Sequence, residues 1–165
     1  IIIDKRDLYA ADPHAQITRA HFANVLIKMG IVNNKSEAFE KYLEYGGKYI
    51  PVKKITTKRC MEFLNRHNFF ISLAHPLLYK FSDEELNGLL IHLKELGLHG
   101  IEVFHSTHSK ENIQRLSFLA EKYDLLPTGG SDFHGSNKPG LFIGSGYGNL
   151  KIPYQLLENI LNSRK

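Results

Sequence analysis

The chain has 165 residues, 42% of them hydrophobic and 23% charged, which is the make-up of one globular domain with enough apolar side chains for a core; disordered, collagenous and coiled-coil chains are excluded. Against 17 Asp and Glu stand 21 Lys and Arg, a net charge of +4 scattered along the chain, which leans towards anionic ligands such as phosphates or nucleic acid. No apolar run approaches the roughly 20 residues that cross a membrane, Ile1-Ile2-Ile3 runs straight into Asp4, Lys5 and Arg6 rather than into a signal sequence, and the single Cys60 fits a reducing, cytoplasmic setting.

Residues 1–67 read as a helical region. Ile17, Ala20, His21, Val25, Leu26 and Met29 recur at helical spacing, with Gly30 as the stop. A second helix runs from Ser36, with Glu37 in its first turn, to Gly46-Gly47, and a third begins after Thr56 or Thr57 and carries Cys60, Met61, Phe63 and Leu64. Between these two lies a short extended piece, Tyr49-Ile50-Pro51-Val52.

Residues 68–165 read as strand and helix in alternation. The run 69–74 is almost continuously apolar, as a strand buried on both faces requires. An amphipathic helix over 84–96, capped by Ser82 or Asp83 and stopped by Gly97, is followed by a strand over 100–104, a helix over 110–123, a strand over 125–129, a short strand at Phe142-Ile143 and a terminal helix over 154–162. This alternation is that of a parallel α/β sheet. The glycine-rich stretch 144–148 lacks the Lys and Ser/Thr of a phosphate-binding loop and reads as a flexible connection.

Each of the three main strands ends in polar residues: Ala74-His75-Pro76, then His105-Ser106-Thr107-His108, then Gly129-Gly130-Ser131-Asp132-Phe133-His134-Gly135. In a parallel sheet the carboxyl ends of all strands lie at one edge, so these residues are expected to converge. Asp132 and His134 place a carboxylate and an imidazole on the same side of an extended segment, two ligands for zinc, manganese or iron; the alternative is a turn in which Asp132 caps a neighbour and His134 is exposed. His75, directly after an apolar strand and before Pro76, is a candidate ligand, with a hydrogen-bonded structural histidine as the alternative. Glu102, the one carboxylate in its strand, needs a partner. His105 and His108 are candidate metal ligands, general acids or contacts to an anion, the last being favoured; Arg19 and His21 near the start of the first predicted helix offer such contacts too, although a solvated helix face explains that pair as well.

In order, Ile17-Thr18-Arg19-Ala20-His21-Phe22-Ala23, Leu73-Ala74-His75-Pro76, residues 100–109 and residues 129–135 resemble the PHP (polymerase and histidinol phosphatase) family of phosphoesterases, and within it the bacterial branch that acts on nucleoside 3',5'-bisphosphates and on the 5' end of short RNA. The resemblance implies the C-terminal portion of a distorted (β/α)7 barrel with a helical insertion. It implies His75, Asp132 and His134 as metal-holding and catalytic residues, with Mn2+ as the divalent ion and Zn2+ or Fe2+ as alternatives. Arg19, His21, His105 and His108 would face the phosphate of a nucleotide or short-RNA substrate. The family's opening His-x-His and the ligands after it have no counterpart here, so the missing N-terminal part of the same protein is expected as a partner. The alone-standing chain would then be inactive, with an open sheet edge that a second chain, a separate segment or self-association would cover. Histidinol-phosphate-type hydrolysis and a non-catalytic binding module are the other readings.

Overall fold

The computed structural model describes residues 1–10, 13, 14, 16–50 and 55–164. It falls into two compact units, 1–55 and 56–165. Among the described residues, no helix is long and apolar enough to cross a membrane.

Among the described residues, the first unit holds α1 (Lys5–Leu8), α2 (Arg19–Lys28) and α3 (Lys35–Lys41). The short α1 was not anticipated; Asp4 starts it by accepting the Arg6 N–H at 2.8 Å. Helix α3 starts at Lys35 rather than Ser36, capped by Asn34, whose side chain accepts the Glu37 N–H at 2.9 Å, while the Glu37 carboxylate reaches back to the Asn33 N–H at 2.8 Å. Ala23, Leu26, Val32, Ala38 and Leu43 form the core of this unit. Tyr49 and Ile50 of the expected extended piece are not in a strand, and Pro51 and Val52 lie outside the described residues.

The second unit contains α4 (Thr57–Arg66), β1 (Ser72–Leu73), α5 (Asp83–Glu95), β2 (Gly100–His105), α6 (Lys110–Lys122), β3 (Leu126–Gly130) and α7 (Gln155–Asn162). The expected division after residue 67 therefore moves to 55/56. The reason is packing: Met61 of α4 is buried in the same core as Ile71, Leu86, Leu90, Leu93, Ile101, Val103, Leu116 and Leu119.

One device sets the repeated helix-to-strand corner. After α4, α5 and α6 the chain enters the left-handed region at Asn68 (φ 55°), Gly97 (φ 90°) and Asp124 (φ 49°), and the next N–H bonds back to the helix: Phe69 to the Leu64 carbonyl, Leu98 to Leu93 and Leu125 to Ala120. These are Schellman endings, which satisfy otherwise orphaned carbonyls. Only the glycine one was legible in the sequence, since Asn and Asp reach this region less readily.

The sheet has the order β1-β2-β3, all parallel, with Ser72 opposite Gly100 and Glu102 opposite Thr128. A bulge between Glu102 and Phe104 shifts the register to Phe104 opposite Gly129. Strand β1 is shorter than the expected 69–74, because the Phe69 N–H is used by the corner and the Ile71 N–H goes to the His99 imidazole at 3.1 Å instead of a ladder carbonyl. Phe142 forms only an isolated antiparallel bridge with Gly146.

Candidate active site

The parallel order puts the carboxyl ends of β1, β2 and β3 at one edge, and the second-unit site residues lie just beyond them. His75 follows β1 in the left-handed region (φ 35°, ψ 55°) and leads into a 3-10 turn over Pro76–Tyr79. Its ring lies 6.1 Å from that of His105, centroid to centroid, and its Nδ1 is buried without a hydrogen-bond partner among the described residues.

His105 closes β2 with its side chain 1% exposed. The Thr107 N–H donates to His105 Nδ1 at 3.2 Å, so in the neutral ring the proton sits on Nε2. That nitrogen has no hydrogen-bond partner and stands 3.6 Å from Asp132 Oδ2. His108 has the opposite arrangement: Nδ1 donates to the Val103 carbonyl at 2.9 Å, leaving Nε2 as a bare, buried lone pair. In this tautomer the free nitrogen of His108 accepts rather than donates.

Asp132 lies beyond β3 at φ 55° with its carboxylate largely enclosed. Burial pulls its pKa upward, but the Lys138 ammonium bound to Oδ2, with His134 and His105 nearby, holds it net below the ordinary carboxylate value. His134 Nδ1 donates to the Asp132 backbone carbonyl at 2.7 Å and lies 3.5 Å from Asp132 Oδ1, so its Nε2 is left bare. An imidazole whose other N–H is fixed by a carbonyl is the usual presentation of a metal ligand. The loops are tied together: Ser106 Oγ donates to the Ser131 carbonyl at 2.9 Å, and Gly146 passes so close that a Cβ on it would stand 2.9 Å from Ser106 Cβ. The stretch 144–148, expected to be a flexible connection, thus seats against the site.

A divalent ion meets the right donor chemistry here, in the unpartnered His75 Nδ1, the Asp132 carboxylate and the bare His134 Nε2. These donors are not drawn together into a finished cage: among the described residues no three His, Cys, Asp or Glu side chains stand close enough to hold one ion. Sequence reasoning missed Lys138, for which a lone lysine in a Gly/Asn/Pro loop carries no signal, and it gave Glu102 no partner; the structure supplies one in the His75 N–H at 2.6 Å.

In the first unit, Arg19 Nη1 donates to the Leu43 carbonyl at 2.9 Å and the guanidinium lies 3.5 Å from the Tyr45 ring centroid. His21 Nδ1 accepts the Thr18 N–H at 3.0 Å, which closes the start of α2 and places the ring proton on Nε2. Both residues thus have local structural partners.

Burial holds the pKa values of His108 and His99 below 6.5, opposed for His108 by the bond to Val103 and reinforced for His99 by Arg164 and Lys94. The unfolded chain therefore takes up protons first as pH falls through 6.5, and stability drops with it. The midpoint of thermal unfolding is expected to be lower at pH about 5.5 than at about 7.5, with a smaller drop in His108→Gln. An equal drop in that variant would remove His108 as a cause.

No family model matches the chain. It is 30% identical over 120 residues to a 5'-3' exoribonuclease of Haemophilus influenzae, covering 72% of this chain and 44% of that protein. It is 27% identical over 134 residues to a 3',5'-nucleoside bisphosphate phosphatase of Chromobacterium violaceum, covering 81% and 47%. Among solved structures, a protein of Bifidobacterium adolescentis assigned as a metal-dependent phosphoesterase superposes with a TM-score of 0.68 at 29% identity, over 98% of this chain and 56% of that one. The chain spans less than half the length of these curated relatives. Its strand-end residues, its parallel α/β unit and these similarities fit a phosphoesterase of the PHP family, of which the chain matches a part.

Proposed function

We propose that the protein to which this chain belongs is a metal-dependent hydrolase of phosphate esters in nucleotides or short RNA. The observation that carries the reading is the edge where three parallel strands end, which sets the Asp132 carboxylate between His105 at 3.6 Å and His134 at 3.5 Å. His75, Asp132 and His134 would hold a divalent ion, Mn2+ being the first choice and Zn2+ or Fe2+ the others. Such an ion supplies positive charge to the phosphoryl oxygens and acidifies an attacking water. The enclosed His105 would donate its Nε2 proton to a phosphoryl oxygen, in a site where water competes little. Arg19 and His21 would offer guanidinium and Nε2–H donors to the phosphate. The three-stranded sheet would be part of a larger distorted (β/α)7 barrel, with the first unit as a helical insertion and further ligands from an upstream part of the same protein, a cytoplasmic enzyme.

That no three-ligand cage stands among the described residues favours a second reading, in which this unit only binds. Both are tested by assaying phosphate release from a nucleoside 3',5'-bisphosphate and a 5'-phosphorylated RNA oligonucleotide in Mn2+, with the chain alone and with its upstream coding segment restored. The hydrolase reading expects turnover only in the restored protein. No release there, with Mn2+ retained, would leave the binding module. In the restored enzyme, Arg19→Ala should raise KM about 10-fold or more with metal content unchanged, as loss of a charged hydrogen bond of roughly 1.5–3 kcal/mol requires; an unchanged KM removes the phosphate role.

A further inference from the structure

Glu102 is the one carboxylate of β2, half-buried in a strand of otherwise apolar and imidazole side chains. Its Oε2 accepts the His75 N–H at 2.6 Å, a bond that runs from the middle strand into the loop after β1. On the other side lies Gly130 of β3, where an added Cβ would stand 2.9 Å from Glu102 Oε1. The carboxylate thus fills the space between the ends of all three strands, and the bulge just after it in β2 is a feature that re-aims side chains. His75 needs such a hold, because a non-glycine residue at φ 35° is strained and persists only where its surroundings over-determine it.

We propose that Glu102 is a positioning residue: by binding the His75 N–H it locks the backbone of His75 in the left-handed region and so fixes the direction in which the imidazole is presented to the site. A Cβ at Gly130 would stand too close to Glu102 Oε1 for the carboxylate to stay where it is, so an alanine there is a way to shift the carboxylate without removing it. The consequence for metal binding rests on the proposed metal reading; the lock itself does not. Its rings report the lock directly, since His75 lies 5.9 Å from Tyr79 and 6.1 Å from His105, centroid to centroid.

The test compares wild type, Glu102→Ala, Glu102→Gln and Gly130→Ala, each in the protein with its upstream segment restored, by Mn2+ titration and by two-dimensional NMR of the His75 amide and of the His75–Tyr79 ring contacts. In Glu102→Ala and Gly130→Ala, Mn2+ affinity should fall about 10- to 100-fold, the range for residues that orient ligands, while the His75 amide exchanges faster and the ring contacts fade. Glu102→Gln should stay within about 3-fold of wild type, since its carboxamide oxygen still accepts the N–H. Gly130→Ala keeps every functional side chain, so it decides the matter should Glu102→Ala fold poorly. A Glu102→Gln protein as weak as Glu102→Ala would make the charge itself the working group and overturn the proposal. So would unchanged amide exchange and ring contacts in Glu102→Ala and Gly130→Ala. A restored wild-type protein that takes up no Mn2+ would count against the metal reading, and the amide and ring signals alone would then decide the lock.

Discussion

Exchanging Asp132 for asparagine is expected to weaken Mn2+ binding by at least about 100-fold and to take phosphoryl turnover in the restored protein to background. Residues that merely orient a ligand cost up to roughly this much, so the ligand itself must cost no less. Asparagine keeps the size and the left-handed backbone, which Asn tolerates well, and removes only the charge. That charge is the shared partner of Lys138, His105 and His134, so its loss leaves a lysine without its counter-ion as well as a site without its carboxylate. A second signature follows from linkage. The Asp132 pKa is lowered in the folded chain, so its charge stabilises the fold above the ordinary value of 3.8, and this stabilisation is lost as pH falls through the folded pKa. In Asp132→Asn that part of the acid sensitivity disappears. Isothermal titration with Mn2+ and an acid-unfolding series check the two separately, and wild-type Mn2+ affinity in the variant would remove Asp132 from the metal site.

Truncating Leu90 to alanine should produce the largest loss of stability. Leu90 is fully buried at the centre of α5, in one core with Leu86, Leu93, Ile101 and Leu116. Deleting a buried leucine in such a site costs about 2–5 kcal/mol from lost transfer energy and the cavity left behind, which for a unit of this size lowers the unfolding midpoint by roughly 10 °C. The neighbouring Ile91, 48% exposed, supplies the control, since Ile91→Ala should change stability by no more than about 0.5 kcal/mol. Urea denaturation of the two variants measures the contrast. Equal losses would mean that α5 packs on a different face.

The helices were legible because their signals are local. The spacing of Leu86, Leu90 and Leu93 marks the buried face of α5, and Ser82 with Glu85 forms the reciprocal cap that starts it. Strand β2 was legible as an apolar run, and the alternation with helices named a parallel sheet. Parallel pairing then put His75, His105 and Asp132 at one edge before any coordinate was known. The extent of β1 was not legible, since it depends on where the Ile71 N–H is spent, on an imidazole 28 residues away. Nor was the division between units, because Met61 has the same local pattern whichever core it joins.

The amino-acid sequence by itself determined that an Asp-x-His pair and three histidines follow the apolar strands of a parallel sheet, because strand order and direction follow from local alternation. Only the tertiary structure decided what each of them can do. The proton of His105 sits on Nε2 because Thr107 N–H points at Nδ1, and that of His108 sits on Nδ1 because the Val103 carbonyl is there to accept it. Glu102 acquires its role from an N–H in another strand's loop. Tautomer, partner and backbone lock are set by distances between groups far apart in the chain, and no local pattern of residues encodes a distance.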